Sequence, residues 1–170
     1  PDHFAKFKDV QSRPECIESL RSWAIDYSER RRSGENVSLH GIHQLRHWDH
    51  VYENGMALID EGVDFLVVAA FAYVHDLWRN NDNSDPNHGP RAAEHLPAFR
   101  DDVFSWMTDE QFALLLEACR VHTLGVATHN ATIDACMDAD KLDLPRVGIQ
   151  PDPRKMCTPK GVVLAESLKQ

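Results

Sequence analysis

Histidine is the side chain best suited to hold a metal ion or move a proton near neutral pH, and this chain of 170 residues carries ten. Four of them are His40, His43, His47 and His50, whose steps of three, four and three place them on one helical face. That face lies roughly 100° around the helix from a stripe of Leu45, Trp48 and Tyr52, so it can border a core without filling it. An exposed polar face would show the same spacing. The second feature is His75-Asp76, which closes the apolar run from Phe65 to Val74. Burying such a pair is costly unless something partners both groups. A metal does so, since imidazole nitrogen and carboxylate oxygen together suit zinc, iron, manganese and related ions. The third is the run Asp138-Ala139-Asp140-Lys141-Leu142-Asp143. A solvated helix end would explain it, but Cys136, Met137, Leu142 and Leu144 mark a largely buried helix, where unpaired carboxylates are expensive.

The elements that must position these residues read as helices throughout, with no sustained two-residue alternation to suggest a sheet. The pattern predicts an all-α, single-domain bundle. A first helix runs from about Glu15 to Arg31, with Pro14 near its start and Ser33-Gly34 beyond its end. A second spans about His40 to Asp60. A third, Asp64 to Trp78, is apolar nearly all round and should be central. Asn80 to Asn87 is a loop of turn formers. Helix returns from Gly89 or Pro90 to about Leu96, and again from Thr108 to His122, where Thr108 and Gln111 have the spacing of a capping box. Thr123 to Asn130 reads as loop and Ala131 to Leu144 as helix. Pro145, Pro151 and Pro153 then interrupt the chain before a short helix near Pro159 to Leu168. No internal repeat or low-complexity segment is visible.

Composition narrows the function classes. Hydrophobic residues make up 42% and charged residues 26%, as in an ordinary globular domain. The longest apolar run is too short for a membrane span, and Pro1, Asp2 and His3 do not begin the basic, apolar and small-residue progression of a leader. The four cysteines, Cys16, Cys119, Cys136 and Cys157, form no C-x-x-C pair. They suit free thiols in a reducing compartment, with cytoplasm the expectation. A formal charge of -9 argues against general nucleic-acid binding. It does not exclude a small phosphorylated substrate, because two divalent ions would dominate the local field.

Taken in order, His47-Trp-Asp-His-Val51, then Ala-Phe-Ala-Tyr-Val-His75-Asp76, then Asp-Ala-Asp140-Lys-Leu-Asp resembles the HD-domain superfamily of metal-dependent phosphohydrolases. The pattern His47-Trp-x-x-Val-x-x-Asn-Gly55 supports the register. The likeness covers about Ser38 to Val147, with the terminal segments packing on that core. The resemblance implies that His47, His75, Asp76 and Asp140 bind one ion. Members with additional histidines between the His-Asp pair and the final Asp commonly hold a second. Here His88 and His122 would be its ligands, with Asp76 bridging. The alternative is that His88 is a loop residue near phosphate and His122 a satisfied core histidine. The implied cofactors are therefore two divalent ions, drawn from iron, manganese, zinc, cobalt and nickel.

By the same resemblance, a metal-activated water would cleave a phosphate mono- or diester. Arg79 and Lys141 are the candidates for holding phosphate oxygens, ahead of Arg46, Arg91 and Arg146. His43 is the candidate general acid, or an extra ligand or proton shuttle, as is His40. His50 stands where many relatives carry Arg. Four histidines and two aspartates also resemble the ligand set of the HD-fold diiron oxygenases, so oxygenase chemistry on a small polar substrate is the rival expectation.

Overall fold

The computed structural model describes residues 13–34 and 44–169. The described residues hold seven α-helices and short 3-10 turns joined by loops, with no strand among them. The all-α expectation holds. No helix among them is long and apolar enough to cross a membrane.

The helices form where their ends are chemically marked. α1 (Glu15–Gly34) has Glu15 and Glu18 in its first turn and Arg31 and Arg32 in its last, each sign opposing the local helix dipole. It runs past the predicted stop to Gly34, with Ser33 Oγ donating back to the carbonyls of Glu29 and Arg30. α2 (Leu45–Ala57) begins after Gln44. The predicted first turn, including His40 and His43, lies outside the described residues. α3 (Phe65–Val74) starts where Asp64 accepts from the amides of Leu66 and Val67, and every residue from Val67 to Val74 is buried. α4 (His88–His95) opens on a histidine. α5 (Asp109–Val121) has the capping box predicted from Thr108 and Gln111. α6 (Ala131–Lys141) is capped by Asn130. It ends three residues before Leu144, since Leu142 is its cap and Leu144–Val147 forms a 3-10 turn. α7 (Pro159–Ser167) is capped by Thr158.

α3 is the axis on which α1, α2, α5 and α6 pack, while α4 lies on α5 and α7 on α6. One contiguous core runs from Ile17 to Ala165. α2 approaches α3 closely because Gly55 has no Cβ; one built there would sit 2.6 Å from Val68 Cγ1. Behind the site a polar network ties α1, α2 and α3 together. Asp49 accepts two bonds from Arg21, at 2.9 Å each, one from Arg13 at 3.2 Å and one from the Tyr73 hydroxyl at 2.9 Å.

Candidate metal centre

The six predicted ligands come from five helices and meet near helix ends. His47 lies in the first turn of α2. His75 caps α3 and Asp76 follows it, so the buried helix delivers both to the middle of the bundle. His88 is the first residue of α4, His122 caps α5, and Asp140 lies in the last turn of α6.

They converge as two groups, His47/His75/Asp140 and Asp76/His88/His122. In the first, His47 Nε2 lies 3.2 Å from both His75 Nε2 and Asp140 Oδ1, and His75 Nε2 is 3.6 Å from Asp140 Oδ1. In the second, His88 Nε2 lies 2.9 Å from His122 Nε2 and 3.0 Å from Asp76 Oδ1. The other oxygen of Asp76 turns to the first group, 3.3 Å from His47 Nε2 and 3.5 Å from His75 Nε2. One carboxylate thus gives one oxygen to each group. Ligands held about 2.0–2.2 Å from a common ion, at right or tetrahedral angles, are roughly 2.8–3.6 Å apart, and these separations match.

The partners of each Nδ1 indicate which ring nitrogen carries the hydrogen. His75 Nδ1 faces the carbonyls of Phe71 and Ala72 at 3.0 and 3.1 Å, His88 Nδ1 that of Asp85 at 2.5 Å, and His122 Nδ1 that of Cys119 at 2.7 Å. His47 Nδ1 meets Asp143 Oδ2 at 2.7 Å. Carbonyl and carboxylate oxygens only accept, so each Nδ1 carries a hydrogen, and a neutral ring then turns its Nε2 lone pair inward. Nitrogen lone pairs facing one another at 2.9 and 3.2 Å, ringed by carboxylate oxygens, repel unless a proton or a metal cation lies between them.

Protons alone satisfy the cluster unevenly. Burial lowers the affinity of His47 for a proton, but hydrogen bonds to Asp140, Asp143 and Asp76 outweigh it and hold the group up at about 10. Partial burial raises Asp140, yet His47 and His75 outweigh it and hold it well below the usual carboxylate range. His122 is pushed down to about 3 by burial and by the neighbouring His75, so it meets His88 as a lone pair. The donor set fits divalent metal ions at both groups.

No family model, curated protein or solved structure matches this chain.

Around the ligands is a shell that the sequence did not disclose. Asp143 stands between two imidazoles, accepting from His47 at 2.7 Å and from His50 Nδ1 at 3.0 Å. The loop between Asp76 and His88 is fastened by three arginines. Arg31 donates to the carbonyls of Leu77 and Arg79. Arg91 donates to the Trp78 carbonyl and pairs with Asp85, whose own carbonyl holds His88. Arg79 bonds Asp76 Oδ1 at 3.2 Å and the carbonyls of Asn81 and Asn83. Gly89 permits the approach of α4 to α5, since a Cβ there would collide with the Cys119 carbonyl.

Two of the three predicted catalytic residues need separate description. Lys141 is not brought to the ligands: its ammonium donates to the carbonyls of Gly125 and Lys155, at 3.1 and 2.8 Å, and lies 3.7 Å from Cys157 Sγ. It ties the segment after His122 to the C-terminal region. His43 lies outside the described residues. Access is one-sided. The side chains of His47, His75 and Asp76 are 3% exposed or less, whereas Asp140 is 26% and His50 40% exposed.

Proposed function

We propose that the chain is an HD-type phosphohydrolase with two divalent ions, acting on a small phosphate mono- or diester. The observation that carries this is Asp76, whose two oxygens serve two adjacent ligand groups. Sites that hold two ions about 3.5–4 Å apart clamp the attacking and leaving oxygens of an in-line displacement. Bound there, the ions would polarise phosphate and lower the pKa of a water so that hydroxide forms near neutral pH.

The chain's own residues supply the rest. Two ligand carboxylates face two divalent ions, which leaves an excess of positive charge suited to an anionic substrate. Arg79 sits beside Asp76 with Nε and Nη1 engaged, and its Nη2, without a hydrogen bond among the described residues, is the donor for a phosphate oxygen. Substrate enters past Asp140 and His50, the exposed side of the cluster. His43, four residues before His47, is the proposed proton donor to the leaving group.

The test is a panel of phosphate mono- and diesters with manganese, cobalt, zinc or iron, run with and without air. Hydrolysis supported by a redox-inert ion in the absence of oxygen is the expected result. Iron-dependent oxygen uptake tied to turnover, with no ester cleaved under any metal, would assign the oxygenase instead.

A further inference from the structure

We propose that His50 is a positioning residue for the first metal group, acting through Asp143 to hold His47 in place. This rests on the two-ion reading of the cluster. Asp143 has two carboxylate oxygens and the structure uses both: Oδ2 accepts from His47 Nδ1 at 2.7 Å and Oδ1 from His50 Nδ1 at 3.0 Å. An ionised carboxylate only accepts, so both imidazoles donate. His47 and His50 are three residues apart on α2, on one helical face. Asp143 enters between them from the turn after α6, two residues beyond the end of that helix.

The geometry gives each member a separate task. The bond from Asp143 fixes the tautomer and ring orientation of His47, as outer-shell carboxylates do for metal-bound imidazoles. Fixing a ring requires that the carboxylate itself cannot rotate. One donor leaves it free to turn about its own axis; a second donor on the other oxygen stops it. Arg146 does not substitute, because its Nη1 bonds the Asp143 backbone carbonyl at 2.9 Å and reaches Oδ2 only at 3.9 Å. His50 also stands at the exposed end of the chain of bonds and keeps water from competing for Asp143 Oδ1, with its side chain 40% exposed against 1% for His47. His88 and His122 take their orientation from backbone carbonyls instead. The influence of His50 is therefore confined to one of the two ions.

The experiment uses the purified chain and Co²⁺ alone, reading stepwise affinity and the visible absorption of the bound ion. His50→Leu is expected to weaken one ion about 10-fold and shift its absorption, leaving the other ion unchanged. His50→Asn places an amide N–H near the former Nδ1 and should restore most of the lost affinity. In an Asp143→Asn background, His50→Leu should add no further loss. A role in packing alone predicts the reverse, with Leu tolerated and Asn not. Unchanged affinity for both ions in His50→Leu, equal effects of Leu and Asn, or additivity with Asp143→Asn would each overturn the proposal. Should the wild-type chain take up fewer than two Co²⁺ ions, the two-ion reading falls and the proposal falls with it.

Discussion

Gly89→Ala tests how the second ligand group is assembled, with the addition of a single methyl. Gly89 follows His88 at the start of α4 and faces the last turn of α5. An added Cβ would overlap the Cys119 carbonyl oxygen and lie 3.1 Å from both Cε1 and Nδ1 of His122. The obstacle is backbone, and that same oxygen accepts the His122 Nδ1 hydrogen at 2.7 Å, so no side-chain rotation relieves it. Non-bonded heavy atoms settle near ~3.5–4 Å, which requires α4 and α5 to separate by about 1 Å. Overpacking of this kind costs about 1–3 kcal/mol. Borne by the fold, it lowers Tm by roughly 2–4 °C per kcal/mol for a chain of this size. Borne by the ligand group, it weakens one ion roughly 10–100-fold. The first group draws on α2, α3 and α6 and should keep its ion. Metal analysis after equilibration at limiting metal, paired with thermal melts, separates the two routes. Gly34→Ala is the control, because a Cβ there meets nothing within 4 Å. A Gly89→Ala protein that holds both ions with wild-type affinity and melts with the wild type would refute the close-approach argument.

Other perturbations follow from the same contacts. Lys141→Ala should cost about 2 kcal/mol through the lost bonds to Gly125 and Lys155, seen as a lower denaturation midpoint, while KM for a phosphate ester stays unchanged; a raised KM with unchanged stability would return Lys141 to the substrate. Arg79→Ala should raise KM and also weaken metal binding, because it removes a donor to Asp76 together with the proposed phosphate contact; unaltered metal affinity would separate the two roles. Asp49→Asn should destabilise by about 1–3 kcal/mol at neutral pH. Burial raises the Asp49 pKa, but Arg21, Tyr73 and Arg13 outweigh it and hold the carboxyl below its ordinary value. Its contribution is thus complete above about pH 4 and is lost as pH falls further. Urea titrations of both proteins from pH 7 to pH 3 should show the gap narrowing toward the acid end, and a gap that widens there would contradict the assignment.

What the sequence disclosed and what it concealed have physical causes. The clustered His and Asp residues stood out in the sequence because each is a polar group where burial should be costly: His75-Asp76 closes an all-apolar helix, and Asp140 lies in a buried one. Helix ends carrying a chemical mark, such as Asp64, Thr108 and Asn130, fell within a residue of where their caps predict. Lys141 is bonded away from the cluster because neighbours in sequence are not neighbours in direction; successive helical side chains diverge by about 100°, so Asp140 and Lys141 meet different surroundings. Asp143 was visible only as one more carboxylate in an acidic run. Its pairing with His47 and His50 spans more than ninety residues, and no local pattern encodes that contact. The arginine staples on the loop before His88 are hidden for the same reason: Arg31 reaches it across 46 residues. His88 itself looked like a loop residue because the stretch before it is rich in Asn and Asp, yet it opens α4.

The central claim is that two cation positions share Asp76, and counting metal per chain tests it most directly. The wild-type chain, loaded with Co²⁺ or Zn²⁺ and freed of excess, should hold two ions. Asp76→Ala should lose both, while His88→Ala and His122→Ala should each keep one. If His88→Ala and His122→Ala hold as much metal as the wild type, or the wild type holds fewer than two ions, the shared centre is contradicted.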